Sequence, residues 1–185
     1  MSTLAALAFP TVRASWLPAT GEAPATGTCW REAGDEDLPF FRQLYADTRA
    51  AELAAVPWPD ALRQQFLDSQ FALQHQHYTS HYQPAHYLLI ADNGGAVGRL
   101  YVHHDGRVAT IIDIALLDRA RGRGIGSALL RHVQGKALDE GLQAVVLHVQ
   151  KGNDAALRLY QRLGFQTESD TGSHLLMRCP LPVLS

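Results

Sequence analysis

Cysteine is scarce in this chain, which has two, Cys29 and Cys179, among its 185 residues. Two cysteines so far apart in sequence suggest neither a disulfide framework nor the paired ligands of a zinc knuckle. We therefore expect a protein of a reducing compartment, namely the cytoplasm.

Long apolar runs are missing as well. No stretch approaches the ~20 apolar residues that a membrane-spanning helix requires. The short apolar run at the N-terminus ends at Pro10 and has no lysine or arginine before it, which is unlike a secretory signal. The sequence therefore predicts no membrane partner and no secretion.

Neither sign of charge is in excess. Sixteen basic and eighteen acidic residues give a net charge of -2, and no sustained basic stripe indicates a polyanionic partner, so nucleic acid is not expected as a partner. With 46% hydrophobic and 18% charged residues, the chain has the length and composition of one globular domain that can bury a core.

The first part of the chain changes character after residue 27. Residues 1–27 are rich in Ala, Thr, Pro and Gly without a sustained period, which predicts an extension outside the main fold. A short strand follows at 28–31, and apolar positions at helical spacing predict a first helix that includes Tyr45. A second helix is expected to start after Pro59-Asp60 and to run towards the histidine-rich segment 75–81.

Three antiparallel strands are predicted next, over residues 87–90, 96–103 and 107–117. The tight turn Asp92-Asn93-Gly94-Gly95 joins the first two, and Asp105-Gly106 joins the second to the third. The third run is apolar enough to be a central strand.

Helices and strands alternate in the second half of the chain. Apolar residues after Gly124 fall along one helical face until Gly141 ends the helix. A buried strand over 145–149 leads to a helix that Asn153 caps and Gly164 closes. The last two strands are predicted at 165–167 and 174–179.

The run from Arg121 to Ser127, Arg-Gly-Arg-Gly-Ile-Gly-Ser, lies between a buried strand and an amphipathic helix. Glycines let the backbone approach an anion closely, successive N–H groups form a concave nest, and the helix N-terminus adds the positive end of a dipole. A phosphate or pyrophosphate fits such a turn. Arg121 and Arg123 can neutralise its charge.

Three interpretations of this turn compete. A P-loop requires a lysine before the final Ser or Thr, but Ser127 directly follows Gly126. A dinucleotide fingerprint requires glycine at its first, third and sixth positions, and the sixth position counted from Gly122 is Ser127. It also requires an acidic residue at the end of the next strand, where His148 and Gln150 stand. The third interpretation is a strand-to-helix turn without any ligand.

A second motif downstream decides between them. The chain resembles the GNAT superfamily of acetyltransferases, whose signature (Arg or Gln, two residues, Gly, one residue, Gly or Ala) is met by Arg121, Gly124 and Gly126. The resemblance is clear over residues 86–165, weaker over the first two helices, and leaves residues 1–27 outside. One departure is Asp118, where many members have proline. At the spacing of the family, the resemblance continues through Leu147-His148-Val149-Gln150, Asn153, Ala156, Tyr160 and Gly164-Phe165.

The resemblance implies the fold class, an α/β protein with an α+β mixed sheet. In the GNAT fold a mostly antiparallel sheet of six to seven strands is splayed between the fourth and fifth strands, with about four helices on both faces. The implied organisation is a single N-acetyltransferase domain over residues 28–180. The extension 1–27 precedes it, and a short tail, 181–185, follows.

The resemblance also implies a site for acetyl-coenzyme A (acetyl-CoA) as acyl donor, without a metal. The strand before the turn offers backbone groups to pantetheine, the turn holds the pyrophosphate, Asn153 contacts the pantetheine arm, and Tyr160 protonates the departing thiolate. The implied donor-binding residues are Ile114, Ala115, Leu116, Arg121, Gly122, Arg123, Gly124, Ile125, Gly126, Ser127, Asn153 and Tyr160.

Acetyl transfer to an amine requires a neutral amine, a polarised carbonyl and a proton for the thiolate. Imidazole, with an unperturbed pKa of about 6.5, suits the removal of the amine proton, and His148 is the candidate base. The alternatives are that His148 is a strand histidine bonded to a neighbouring carbonyl, that Asp113 is the base, or that water is. Tyr160, as a phenol, suits the protonation of the thiolate, although its position also suits a core tyrosine.

The acceptor site in this superfamily is built largely by the first two helices, their link and the final strand pair. The aromatic and amide groups of that region suit an organic amine or a peptide end, or serve as packing. We expect a small-molecule or peptide amine as partner, and a monomer or homodimer. The residues in question are Trp58, Phe66, Gln70, Tyr78 and Tyr82.

Two alternatives remain for the chain as a whole. A GNAT-like module that senses acyl-CoA without turnover is disfavoured by the presence of both His148 and Tyr160. A dinucleotide-binding protein is disfavoured by the three antiparallel strands before the glycine turn. His77 and His81 have i,i+4 spacing that suits a metal, but they lack the intervening glutamate of a hydrolytic zinc motif, so no metal site is expected.

Overall fold

The computed structural model describes residues 7–11, 16 and 27–182, and this part of the chain forms seven strands and four helices. Every helix and strand that the sequence predicts is present there, with ends shifted by a few residues. Within the same ranges, no helix combines the length and the apolar character needed to cross a membrane. In chain order the elements are β1 (Cys29–Glu32), α1 (Leu38–Leu53), α2 (Asp60–His81), β2 (Ala85–Asp92), β3 (Gly95–His104), β4 (Val108–Leu116), α3 (Ile125–Asp139), β5 (Ala144–Gln150), α4 (Asp154–Arg162), β6 (Gln166–Asp170) and β7 (His174–Pro180).

The strands form one sheet in the order β1-β2-β3-β4-β5-β7-β6. Neighbours are antiparallel except β4 and β5, which are parallel and pair only over Val108–Ile111 and Ala144–Leu147. Because β4 continues to Leu116 and β5 to Gln150, the two strands separate beyond their last pair. The predicted fold class, a mixed sheet splayed between its fourth and fifth strands, is confirmed.

A bulge in β4 decides which face of the sheet Asp113 occupies. Tyr101 of β3 pairs with Asp113, whereas the next residue, Val102, pairs with Ile111, so Ile112 is the extra residue of the bulge. Directly paired residues on neighbouring strands share a face. Asp113 therefore lies on the same face as Tyr101, which the sequence alone left open.

Each face of the sheet has its own hydrophobic core. The core beneath α3 and α4 includes Leu129 and Leu147, and the core beneath α1 and α2 includes Phe41, Phe71 and Tyr101. The apolar stripes of the four helices meet the central strands from both sides, as the helical periodicity predicts. Two cores on one sheet are the layered arrangement of an α/β domain.

Phe9 and Trp16 of the N-terminal segment each pack into one of the two cores, whereas the sequence pattern predicts that residues 1–27 lie outside the main fold. Phe9 is 6% exposed and belongs to the core beneath α1 and α2, whereas Trp16 is 3% exposed and belongs to the core beneath α3 and α4. Each aromatic side chain removes a large apolar area from water. Isolated anchors of this kind produce no periodicity, so the sequence pattern does not reveal them.

Trp16 is also held by polar and aromatic partners. Its ring stacks on His86 and His104, with centroid distances of 4.8 and 5.2 Å, and its Nε1 donates to Glu140 Oε1 at 2.6 Å. These partners belong to β2, β3 and the residue after α3. The segment is therefore joined to the domain at a defined point.

Candidate active site

A cleft of about 950 Å³ opens where β4 and β5 separate. From Ile112 to Leu116, the edge of β4 that faces β5 pairs with no strand among residues 7–11, 16 and 27–182, so its peptide groups are available to a ligand. Ile114, Ala115 and Leu116, which the sequence assigned to the donor, line the cleft there. The separation of the strands thus exposes backbone hydrogen-bonding groups in the middle of a sheet.

The glycine turn forms the end of the cleft. Gly122 and Gly124 have φ values of +70° and +80°, a left-handed conformation that residues with a Cβ rarely adopt. Gly124 is the N-cap of α3, and its carbonyl accepts the first helical hydrogen bond, from Ala128 N. The N–H groups at the start of α3 therefore have no acceptor within the helix and are available to bind an anion. Four turn residues line the cleft: Gly122, Gly124, Gly126 and Ser127.

The structure separates the two arginines of the turn. Arg121 lines the cleft, with its Nε donating to Leu116 O at 3.1 Å. Arg123 is not among the cleft-lining residues, and its Nη1 donates to Asp92 Oδ2 at 2.8 Å. Hydrogen bonds from Arg123 and from the Gly94 N–H lower the pKa of Asp92 to about 2. Arg121 is thus placed to meet an anion in the cleft, whereas Arg123 bonds to the β2–β3 hairpin.

The side chain of Ile125, the residue that follows Gly124 in the turn, belongs to a hydrophobic core. Its side chain is 1% exposed and packs in the core beneath α3 and α4. Only its backbone N–H, in the first turn of α3, is oriented for a ligand. The prediction that Ile125 binds the donor thus concerns its peptide group.

Asn153 and Tyr160 lie on the β5 side of the cleft and both line it. Asn153 is the N-cap of α4, as the sequence predicts, and its Oδ1 accepts from Ala156 N at 3.2 Å. Its side-chain NH₂ group can still donate to a ligand. Tyr160 is 7% exposed, and burial, together with the charge of Asp113, raises its pKa to about 12. The phenol is therefore protonated throughout the neutral range.

His148 is exposed and pairs with Leu176 of β7. Its neighbours Leu147 and Val149 belong to the core beneath α3 and α4, so His148 points to the opposite face, the one that carries Asp113. It is not among the cleft-lining residues, although Gln150, two residues further on the same face, is. The structure thus brings His148 to the open face beside the cleft and Asp113 into it.

The side of the cleft opposite the glycine turn is lined by residues that the sequence interpretation did not single out for the acceptor. None of the five residues proposed for that side is among those that line the cleft. Trp58 and Phe66 pack on each other at 5.1 Å, and Tyr78 and Tyr82 pack against the core beneath α1 and α2. The cleft-lining residues on this side are Tyr45, Thr48, Arg49, Glu52, Gln74, Arg99 and Asp113.

A weak signal for part of this wall exists in the sequence. Tyr45, Thr48, Arg49 and Glu52 lie at i, i+3, i+4 and i+7 of α1, which is one face of a helix. The apolar stripe of α1 includes Tyr45 and becomes polar along its second half. A buried stripe that becomes polar at one end indicates a helix that leaves the core to line a cavity.

Arg99 of β3 and Asp113 of β4 form an ion pair at the floor of the cleft, through Arg99 Nη2 and Asp113 Oδ2. The side chains are 4% and 17% exposed. Arg99 Nη2 also donates to Gln74 Oε1 of α2, at 2.8 Å. Two strands and a helix thus fix the position of one carboxylate.

Of the three histidines of α2, His75 is buried, whereas His77 and His81 are exposed. His77 and His81 stack at 4.2 Å, and His81 Nδ1 bonds to the carbonyl of His77. Within residues 7–11, 16 and 27–182, no three His, Cys, Asp or Glu side chains are grouped as they would be to hold a metal ion. The i,i+4 histidines thus stand without further ligands in that part of the chain.

Comparison with known proteins places most of the chain in one family. Residues 40–165 match the acetyltransferase (GNAT) family. This range includes the second half of β4, the glycine turn and α4, which together surround the cleft.

A characterised relative matches part of the chain. Mycothiol acetyltransferase of Streptomyces coelicolor is 32% identical over 124 residues, which is 64% of this chain and 37% of that protein. The matched region thus spans little more than a third of the relative's length.

Solved structures share the fold at low sequence identity. PaiA N-acetyltransferase from Thermoplasma acidophilum, solved in complex with coenzyme A, is similar with a TM-score of 0.65 and 16% identity, covering 83% of this chain and 98% of that one. The ribosomal-protein-S18-alanine N-acetyltransferase of Escherichia coli is similar with a TM-score of 0.60 and 21% identity, covering 85% and 96%. At these identities the similarity concerns the fold.

Proposed function

Because this chain belongs to the GNAT acetyltransferase family, we propose that it transfers the acetyl group of acetyl-CoA to a primary amine of a small molecule or peptide. The observation that carries the proposal is the cleft itself. There, an unpaired strand edge, a turn with left-handed glycines and the buried Tyr160 lie along one continuous cavity. A protein that bound only an anion would require the turn alone.

The donor fits the cleft by the chemistry of its parts. Acetyl-CoA supplies an activated thioester at the end of a long amide-containing arm. The unpaired edge of β4 at Ile114–Leu116 offers peptide groups to the amides of that arm. The N–H groups of the turn and the start of α3 suit the pyrophosphate. Arg121, Lys151 and Arg162 also line the cleft, and their charges attract phosphate.

The proposed reaction is a direct attack in a ternary complex. The amine nitrogen forms a bond to the acetyl carbon while the carbon–sulfur bond breaks, so one proton leaves nitrogen and one is gained by sulfur. Tyr160 is our candidate donor to sulfur, because its raised pKa of about 12 keeps the hydroxyl protonated. A buried phenol donates a strong hydrogen bond to a thiolate.

His148 is our candidate for removing the proton from nitrogen. It lies on the same face of the sheet as Asp113, on the other strand of the opening. Because it is exposed, a proton it accepts can pass directly to water. Replacing His148 with Gln is expected to lower kcat by about 100-fold. His77→Gln, on the outer surface of α2, is the matched control and should leave kcat unchanged.

Two measurements test the proposed function. Calorimetry with acetyl-CoA, coenzyme A and NAD should show binding of the first two, and binding of NAD alone would refute the donor assignment. Thiol release with a panel of amines then separates an enzyme from an acyl-CoA sensor. Tight acetyl-CoA binding without thiol release from any amine would favour the sensor.

The cellular compartment and the oligomeric state of the protein are also proposals. Cys29 is exposed, Cys179 is buried, and both are free thiols, which suits a reducing compartment. We propose that the protein acts in the cytoplasm as a monomer or homodimer. Size-exclusion chromatography coupled to light scattering tests the oligomeric state.

A further inference from the structure

We propose that the acceptor enters the cleft as an alkylammonium ion and that the carboxylate of Asp113 binds it, with Arg99 and Gln74 as positioning residues. This inference rests on the proposed function and names the class of its acceptor. It assigns no proton transfer to Asp113. The bound ammonium first loses one proton to water through His148, the candidate base, and the neutral amine then loses its second proton as the bond from nitrogen to the acetyl carbon forms.

The carboxylate of Asp113 is held in place by Arg99 and keeps acceptor positions for further hydrogen bonds. Asp113 Oδ2 accepts from Arg99 Nη2, and an ionised carboxylate has about four acceptor positions on its two oxygens. Its side chain is 17% exposed and lines the cleft. Acceptor capacity thus remains on the side that faces the cavity.

Asp113 stands next to the reacting atoms of the proposed reaction. It directly precedes Ile114, the first residue of the strand edge proposed to hold the donor arm. Asp113 and Tyr160 both line the cleft, and the charge of Asp113 contributes to the raised pKa of Tyr160. A cation bound to Asp113 therefore lies beside the site proposed for the thioester.

The ion pair is better explained by binding than by stability. Arg99 is 3% exposed and lies over the rings of Phe41 and Tyr101, at 5.9 and 5.2 Å. Burying a guanidinium and a carboxylate costs solvation, and apolar residues of the same volume stabilise a core about as well. What apolar residues cannot do is hold a negative charge at a fixed point in a cavity.

Two acids line the cleft, and they differ in their availability. Glu52 is bonded by Arg49 Nη1 through both of its oxygens, at 3.1 and 3.0 Å, and its side chain is 48% exposed. Asp113 is less exposed, at 17%, and accepts from Arg99 Nη2 through Oδ2 alone. Water screens the first charge more than the second. Asp113 is therefore the stronger site for a cation.

The neighbouring phenols favour a cation over an anion at this point. Burial is the main cause of the raised pKa values of Tyr78 and Tyr101, and the charge of Asp113 raises both further. These side chains are therefore neutral and add no charge beside the ion pair of Asp113 and Arg99. Alkylamines are cations at neutral pH, whereas arylamines and alcohols are neutral, so the site selects the first class.

The test compares Asp113→Asn with wild type on phenethylamine and on 4-ethylaniline, an arylamine of the same composition. For the alkylamine, loss of a charge-assisted contact is expected to raise KM by about 10- to 100-fold, with a smaller change in kcat. The Kd of acetyl-CoA should be unchanged. Asp47→Asn, which removes the same charge from α1 outside the cleft, is the control.

Three variants test the positioning residues. Gln74→Leu keeps the side-chain size and removes one of the two acceptors of Arg99 Nη2, so KM for the alkylamine should rise while acetyl-CoA binding is kept. Arg99→Lys retains the charge and should restore part of the affinity that Arg99→Met loses. If Gln74→Leu and Arg99→Met raised the Kd of acetyl-CoA by the same factor as the KM of the alkylamine, the two residues would have a purely structural role.

Three results would overturn the inference. One is an Asp113→Asn variant with unchanged KM and a kcat lowered by 100-fold or more, because Asp113 would then be the base. Another is an arylamine used as efficiently as the alkylamine by wild type. The third is a wild-type protein that binds no alkylamine. Calorimetry of phenethylamine with the coenzyme A complex tests binding without turnover, so failure of the proposed function would be seen separately, as absent thiol release.

Discussion

The two halves of the cleft are built in different ways. The half proposed for the donor comes from one continuous stretch, from the end of β4 to α4, and contains the unpaired strand edge and the glycine turn. The half proposed for the acceptor comes from α1, α2, β3 and β4 and presents side chains of both charges. A ligand that is the same in every member of a family can be held by a local backbone motif, whereas a variable ligand is recognised by side chains that distant segments bring together.

The largest expected effect tests whether the N-terminal segment stabilises the core beneath α1 and α2, the two helices of the acceptor half. Phe9 packs against Phe41, Tyr87 and Tyr101, and Phe9→Ala should lower the free energy of unfolding by about 3 kcal/mol. Chemical denaturation measures the change. Phe66→Ala, which truncates a partly exposed ring on α2, should cost much less, and equal losses would contradict the role of Phe9 in the core.

The next effect separates binding from turnover in the donor half. Tyr160→Phe should lower kcat by about 100-fold, because the thiolate then leaves without a proton donor. The Kd of coenzyme A should change little, since the ring remains in place. Steady-state kinetics and calorimetry give the two quantities, and unchanged turnover would remove Tyr160 from the mechanism.

A smaller effect tests the backbone character of the donor half. Gly124→Val forces a β-branched residue to φ near +80° and should weaken coenzyme A binding by about 10-fold. Gly135→Val is the matched control, because a Cβ at that glycine, within α3, meets open space. Comparable losses of affinity in the two variants would mean that the turn geometry does not matter.

The smallest expected effect is a pH dependence of stability in the acceptor half. Burial lowers the pKa of His75, whose Nε2 bonds to the Ala8 carbonyl at 3.0 Å. The unfolded chain gains this proton near pH 6.5 and the folded chain only at lower pH, so the unfolding free energy should fall as pH decreases below about 6.5. His75→Gln should reduce the difference in unfolding free energy between pH 7 and pH 5 by about 1 kcal/mol or less. Chemical denaturation at the two pH values measures that difference, and an unchanged difference would contradict the prediction.

The sequence and the structure agree best where neighbours in the chain are neighbours in space. The glycine turn links β4 to α3 and Asn153 caps α4, as predicted, since each depends on a few consecutive residues, and both line the cleft. The sequence analysis expected other residues at the acceptor site than those that line the cleft, because spacing within α2 does not show which face of this helix meets the cleft. Tyr78 and Tyr82, proposed for the acceptor, pack instead against the core.

The sequence by itself determined the order of strands and helices, the glycine turn and the family to which they belong. Only the tertiary structure decided that Asp113 shares a face with Arg99, through the bulge at Ile112, and that Phe9 and Trp16 complete two cores. The reason is the range of the interactions. A turn is specified by consecutive backbone conformations, whereas the ion pair joins residues 14 positions apart and Gln74 is 25 positions from Arg99.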